Sequence, residues 1–334
     1  MAKENSELYD SRIPWIDAVR GVAIFLVVIG HSIVVSVPLQ EWGNVWWGLF
    51  SYIYAFHMAL FFFISGCVFN YDRYINKPLD FLKRRLKTLI VPYLFFTIFG
   101  LLFFSLLTRQ NLFLQESIYS FIRDIITAKS PGQTADWLWF LPSLFIVAML
   151  YYWISRYLFP KRVVSLIIVL FIIGLVGAFI IHINPLMALL YYGIGHLFMK
   201  FSDTIIGDKL LPLAILFSGI FLLVGGSNSN EMWNPTNIQS YLILTGTAFS
   251  GILGTTLLVK WFYSRKLHSI ILEFLGKNSI IIYIIHGFIL AIFTTYFIFI
   301  VKSASIFILS VITILACIPF VYIIKRFVPF IIGK

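Results

Sequence analysis

Polar positions in this chain gather in short clusters, and between them run apolar stretches near 15–37, 48–69, 88–107, 138–158, 163–182, 185–199, 209–226, 239–259, 279–301 and 304–324. The hydrocarbon core of a bilayer is crossed by about 20 apolar residues in helical form. Each stretch therefore predicts a membrane-crossing helix, about ten in all; the sixth, which begins at Pro185, is the shortest. The first stretch has no small-residue cleavage site and is followed by many others, so it reads as a retained span and not as a signal peptide. There is no convincing internal repeat, linker or appended soluble domain. The expectation is an all-α, polytopic membrane helix bundle, with 1–334 as one integral membrane domain.

The first stretch breaks its own pattern. Within Trp15 to Val37 it carries Asp17, Arg20 and His31, and titratable groups inside a span are costly enough to mark function by default. A helix turns about 100° per residue, so the eleven-residue step from Arg20 to His31 returns to within roughly 20° of one face, about 16 Å further along. Asp17 lies three residues before Arg20, within side-chain reach. One face of this helix should look into a protein-lined cavity. The plainer alternative is a structural Asp17–Arg20 bridge, with His31 bonding a backbone carbonyl.

Composition and charge sharpen the picture. The chain is 60% hydrophobic and 12% charged, too few charges for a soluble surface of this size. A net charge of +11 raises the question of nucleic acid, and its distribution answers it. With the N-terminus in the cytoplasm, the inward segments hold Lys3 and Arg12, then Arg73 to Lys87, then Arg156 to Arg162, Lys200, Lys209, Lys260 to Lys277, and Lys325 to Lys334; the outward ones hold only Arg109, Arg123, Lys129 and Lys302. The positive-inside rule thus predicts an even number of spans with both termini cytoplasmic, and nucleic acid is not needed. Cys67 and Cys317 lie in apolar runs and suggest neither a disulfide framework nor a metal cluster. No compact His, Cys or carboxylate spacing predicts a metal site.

The outward segments 108–136 and 225–238 are the polar ones. The second carries Ser227, Asn228, Asn230, Glu231 and Trp233, groups that suit sugars, although ordinary solvated loops have the same look. Other stretches matter together: Phe56-His57 to Ser65-Gly66 in the second span; Phe81-Leu82-Lys83-Arg84-Arg85-Leu86-Lys87 before the third; Trp137-Leu138-Trp139; and Gly276-Lys277-Asn278-Ser279, followed by Tyr283 and His286, in the ninth. With Asp17-x-x-Arg20-Gly21 and His31, this order resembles the acyltransferase 3 family of membrane O-acyltransferases over nearly the whole chain. Ala59 stands where the family often has proline, and Lys87 where it often has arginine. Lysine keeps the charge without the planar fork that grips phosphate in two places.

The resemblance implies transfer of an acyl group, usually acetyl, from cytoplasmic acyl-coenzyme A to a hydroxyl of an extracytoplasmic sugar. It places the first-span motif on Arg20 and His31 and the basic motif on Arg84, Arg85 and Lys87, read here as the acyl-donor-binding residues. The chemistry of the residues agrees. Acyl transfer to a hydroxyl needs a base, and histidine titrates nearest neutral pH, so His31 is the candidate base and Asp17 and Arg20 its catalytic companions. Arg20 has three sensible partners, a phosphate, the donor carbonyl or a developing oxyanion, and sequence does not choose among them. The 83–87 cluster is equally at home as a topological anchor or a contact to anionic lipid. His57, Ser65, Trp139, Asn278, Tyr283 and His286 are candidates for a cavity or acceptor site; His57, His286 and Ser65 are more readily packing residues, and tryptophan at that depth is commonly an interfacial anchor. Trp137 shares the sugar-stacking possibility with Trp139.

The expected function is O-acetylation of a cell-surface carbohydrate or a lipid-linked sugar at the cell membrane. Acetyl-CoA or another acyl-CoA is the donor substrate, membrane lipids are partners, and no metal or permanently bound cofactor is expected. The alternative is a membrane transporter or flippase of a sugar or lipid-linked intermediate, which would also use buried Arg and His. Against it, the first-span polar motif has no counterpart in the second half of the chain.

Overall fold

A computed structural model describes residues 13–36, 44–109, 135–181, 184–205, 209–225, 235–297 and 306–333. The segment at 226–234 and most of that at 108–136 fall outside these residues, as do His182 and the N-terminal twelve residues. The described residues are helical, without strands.

Each predicted apolar stretch contains a helix. These are α1 (Pro14–Ser36) and α2 (Asn44–Cys67), then the short α3 (Tyr71–Tyr74), α4 (Pro78–Arg85) and α5 (Val91–Thr108). A 3₁₀ turn, Asp136–Trp139, leads into α6 (Phe140–Leu158), and α7 (Val163–Val176), α8 (Ala188–Ile205), α9 (Leu210–Val224) and α10 (Ile238–Ser264) follow. The chain closes with α11 (Ile270–Lys277), α12 (Ser279–Tyr296) and α13 (Ile306–Phe327), and a 3₁₀ turn at Pro329–Ile332. Among the described residues, seven helical runs are long and apolar enough to cross a membrane, and Val163–Phe179 and Leu210–Val224 are shorter apolar helices. The protein is all-α and polytopic.

Local signals account for several boundaries. Asn237 caps α10 through the backbone amide of Ser240, whose hydroxyl returns the bond in a reciprocal box. Ser269 caps α11 on the amide of Leu272. The basic stretch before the third span is not a separate helix. It forms α4 and continues through a π turn, Leu86–Ile90, into α5, giving one helical run over Pro78–Thr108. Pro92 supplies the reason, because it has no N–H for the carbonyl four residues back and its ring crowds that turn, so the ladder widens there.

The chain divides into two compact units, each assembled from separated segments. One takes residues from 1–30, 39–76 and 147–279, the other from 31–38, 77–146 and 280–334. In the first, α2 packs along α8 and α10, and α9 along α10. Gly66 on α2 has no room for a Cβ against the carbonyl of Tyr192, and Gly195 on α8 has none against that of Phe63. Each glycine admits the other helix's backbone, the close approach that small residues permit in membranes. In the second unit, Phe96, Phe99, Phe103 and Phe104 of α5 and Trp137 ring Phe288 of α12, with centroids at 5.0–6.5 Å. The terminal 3₁₀ turn packs on the π turn, and Gly333, at φ +75°, lies against the backbone of Lys87 and Thr88.

Candidate functional site

In the first unit, the N-terminal turns of α1 meet α11. Gly276 lies against the backbone of Asp17, and Gly21 against the carbonyl of Leu272. The two sequence motifs Asp17-x-x-Arg20-Gly21 and Gly276-Lys277-Asn278 are therefore one contact, with a glycine on each side making room for the other's main chain. Arg20 Nη1 is 3.5 Å from Asp17 Oδ1, with the arginine side chain 27% exposed and the aspartate nearly sealed. Asp17 Oδ2 is buried and has no hydrogen-bond partner among the described residues. Asn278 is buried and donates from Nδ2 to the carbonyl of Phe274 at 2.7 Å, closing α11 just before α12 begins.

Beside this contact Glu273 gathers three partners. Lys277 Nζ donates to Oε2 at 3.1 Å, the Tyr263 hydroxyl donates to Oε1 at 3.1 Å, and His268 Nδ1 lies 3.5 Å from Oε1. These bonds, that of Lys277 foremost, hold the Glu273 carboxyl below the usual carboxylate range. The sequence reading missed this network, although Glu273 and Lys277 at i, i+4 form a spacing it could have used.

The second unit holds the histidines. His31 Nδ1 and His286 Nε2 are 3.4 Å apart, with ring centroids at 4.9 Å. His31 is partly exposed and His286 fully buried. His286 Nδ1 lies 2.7 Å from the carbonyl of Tyr283 and 3.2 Å from that of Ile282. The indole of Trp137 stands edge-on to His286 at 6.1 Å, donates from Nε1 to the carbonyl of Ile284 at 3.1 Å, and occupies the space a Cβ on Gly287 would take. The Tyr283 hydroxyl accepts from the Phe140 amide at 3.4 Å. Trp137 thus reaches the histidine pair. Trp139, on the same 3₁₀ turn, packs against Phe140.

The remaining candidates are placed by local bonds. His57 is buried and bonds through Nδ1 to the carbonyl of Ile53 at 2.7 Å, with the Tyr54 ring edge-on at 4.7 Å. The Ser65 hydroxyl donates to the carbonyl of Phe61 at 2.8 Å, a bond within its own helix. Arg84 and Lys87 are exposed, and the Arg85 guanidinium lies 5.0 Å from the Phe81 ring centre. A further buried histidine, His196, which sequence reasoning left without a role, shares a 2.6 Å hydrogen bond between its Nδ1 and the Tyr151 hydroxyl among Phe69, Tyr71 and Phe159. Nothing in an aromatic-rich stretch sets such a pair apart.

α1 is continuous from Pro14 to Ser36, so the shared face of Arg20 and His31 holds in the structure. The molecule is a multi-pass membrane protein with titratable side chains retained within its helices. The acyltransferase domain family (Acyl_transf_3) matches residues 13–323, across segments of both units, and the chain belongs to that family. Membership makes it an acyltransferase. No curated protein and no solved structure matches it.

Proposed function

We propose that the protein is a cell-membrane O-acyltransferase that moves an acetyl group from cytoplasmic acetyl-CoA to a hydroxyl of an extracytoplasmic carbohydrate or lipid-linked sugar. The observation that carries this reading is His31, a partly exposed imidazole held in the first span beside the sealed ring of His286. His31 takes the proton of the acceptor hydroxyl as that oxygen attacks the thioester carbonyl carbon. The carbon–sulfur bond breaks, the acyl group passes to the oxygen, and coenzyme A leaves as its thiolate.

Arg20 serves the donor. Side chains on a helix lean toward its N-terminus, so Arg20 reaches away from His31, and the two are about 16 Å apart along the axis. We assign the donor's phosphates to Arg20 and its thioester to His31. The family resemblance also reads Arg84, Arg85 and Lys87 as donor-binding residues. Both termini are placed in the cytoplasm with ten crossings, a reading supported by the inward excess of Lys and Arg. Acetyl as the acyl group and a glycan as acceptor rest on the family's usual chemistry.

The test uses inside-out membrane vesicles from the native host, radiolabelled acetyl-CoA, and base-labile label in the glycan and lipid-linked sugar fractions. Wild type releases free coenzyme A and forms labelled ester; His31→Ala inserts normally and forms none. Label transfer by His31→Ala at the wild-type rate removes it as base. Solute movement without coenzyme A release would instead establish a transporter.

A further inference from the structure

We infer that His286 is a positioning residue that fixes which nitrogen of His31 carries the proton. The inference rests on the reading of His31 as base. A carbonyl oxygen only accepts, so the 2.7 Å contact with Tyr283 requires a proton on His286 Nδ1. A neutral imidazole that donates at Nδ1 accepts at Nε2. The partner of His286 Nε2 is Nδ1 of His31, 3.4 Å away, which must then be the protonated nitrogen of that ring. The lone pair of His31 is left on Nε2. A backbone carbonyl of α12 thus sets, through one sealed ring, the basic atom of a second ring that is partly exposed.

The surroundings suit a support and not a second base. His286 is 0% exposed, so no substrate reaches it. Trp137, admitted by Gly287 and bonded to the Ile284 carbonyl, packs edge-on against the ring. Orienting partners behind a working imidazole are a general device, because the wrong tautomer presents a proton where a lone pair is needed.

Three substitutions separate this role from simple packing. In His286→Gln the amide oxygen can accept from His31 Nδ1. In His286→Asn the amide can still bond the Tyr283 carbonyl but is too short to serve His31. In His286→Phe both bonds are lost while the ring volume stays. The assay is labelled-ester formation from radiolabelled acetyl-CoA in vesicles holding the full chain, with melting of the detergent-solubilised protein measured beside it. A positioned base is worth about 10²–10⁴-fold, so the expected result is a kcat loss of about 10²-fold or more in Asn and Phe, smaller loss in Gln, and little change in donor KM. The inference is overturned if Asn or Phe turns over at the wild-type rate, if Asn outperforms Gln, or if the loss lies in KM. It is likewise overturned if activity follows the melting temperature through the series. His31→Ala separates the two readings: full activity there removes the base itself, whereas its inactivity beside an unimpaired His286→Phe removes only the relay.

Discussion

Gly276→Ala tests the contact between the first span and α11 directly. The added Cβ would stand 2.6 Å from the carbonyl carbon of Asp17 and 3.0 Å from its Cα, with the carbonyl oxygen nearer still. Carbon atoms rest comfortably at about 3.5–4.0 Å, so the two backbones must part by roughly 1 Å, and no flexible side chain can yield instead. Overpacking of this kind costs about 1–3 kcal/mol, or about 2–4 °C of melting temperature per kcal/mol for chains of this order. Gly21→Ala meets the carbonyl carbon of Leu272 at 2.8 Å and should cost a similar amount. Because both changes open the same seam, the double variant should lose clearly less than the two single losses together. Gly246→Ala on α10 is the internal control: nothing lies within 4 Å of its Cβ, and alanine there should be neutral or stabilising by up to about 1 kcal/mol. Melting curves of the solubilised variants by tryptophan fluorescence decide the matter. Strictly additive losses, or a Gly276→Ala protein as stable as Gly246→Ala, would refute the reasoning.

Other expectations follow from the same geometry. Arg20→Lys keeps the charge but loses the planar fork, and transfer from labelled acetyl-CoA should fall about tenfold or more, consistent with a lost charge-assisted bond of about 1.5–3 kcal/mol. Charge reversal at Arg84 and Arg85 together should raise the KM for acetyl-CoA with protein abundance unchanged; a change in abundance alone would mark the cluster as an anchor. Since the Glu273 carboxyl is held below its ordinary value, its contribution to stability is present at neutral pH and lost as the pH falls below about 4. Glu273→Gln should flatten the acid limb of a melting-temperature profile, by a small amount because its main partner Lys277 is exposed.

The crossing helices were legible because their signal is local: twenty neighbouring residues suffice to set a hydropathy average. The polar face of α1 was legible for the same reason, since Arg20 and His31 share one helix and its pitch fixes their phase. What the sequence withheld is pairing at long range. His286 was named as a candidate, but its place against His31, 255 residues away, follows from how two helices meet. Gly21 and Gly276 were visible as motif letters, while the reason for glycine lies in the opposing main chain. Trp137 lies on a 3₁₀ turn 149 residues before His286, and only the turn's orientation brings its ring to that histidine. The continuity of α4 with α5 was hidden because the charged 83–87 cluster reads as a segment outside the span until the wider turn that joins them is seen.

That wider turn has a consequence of its own. A π turn holds one residue more than the α-helical ladder would, so Leu86–Ile90 acts as a phase shifter between Arg84 and Arg85 on one side and the aromatic face of α5 on the other. Deleting Thr88 would wind the segment back toward ordinary pitch and swing both arginines by about 100°, leaving their number, order and depth almost unaltered. A lipid anchor is indifferent to compass bearing; a grip on a particular phosphate is not.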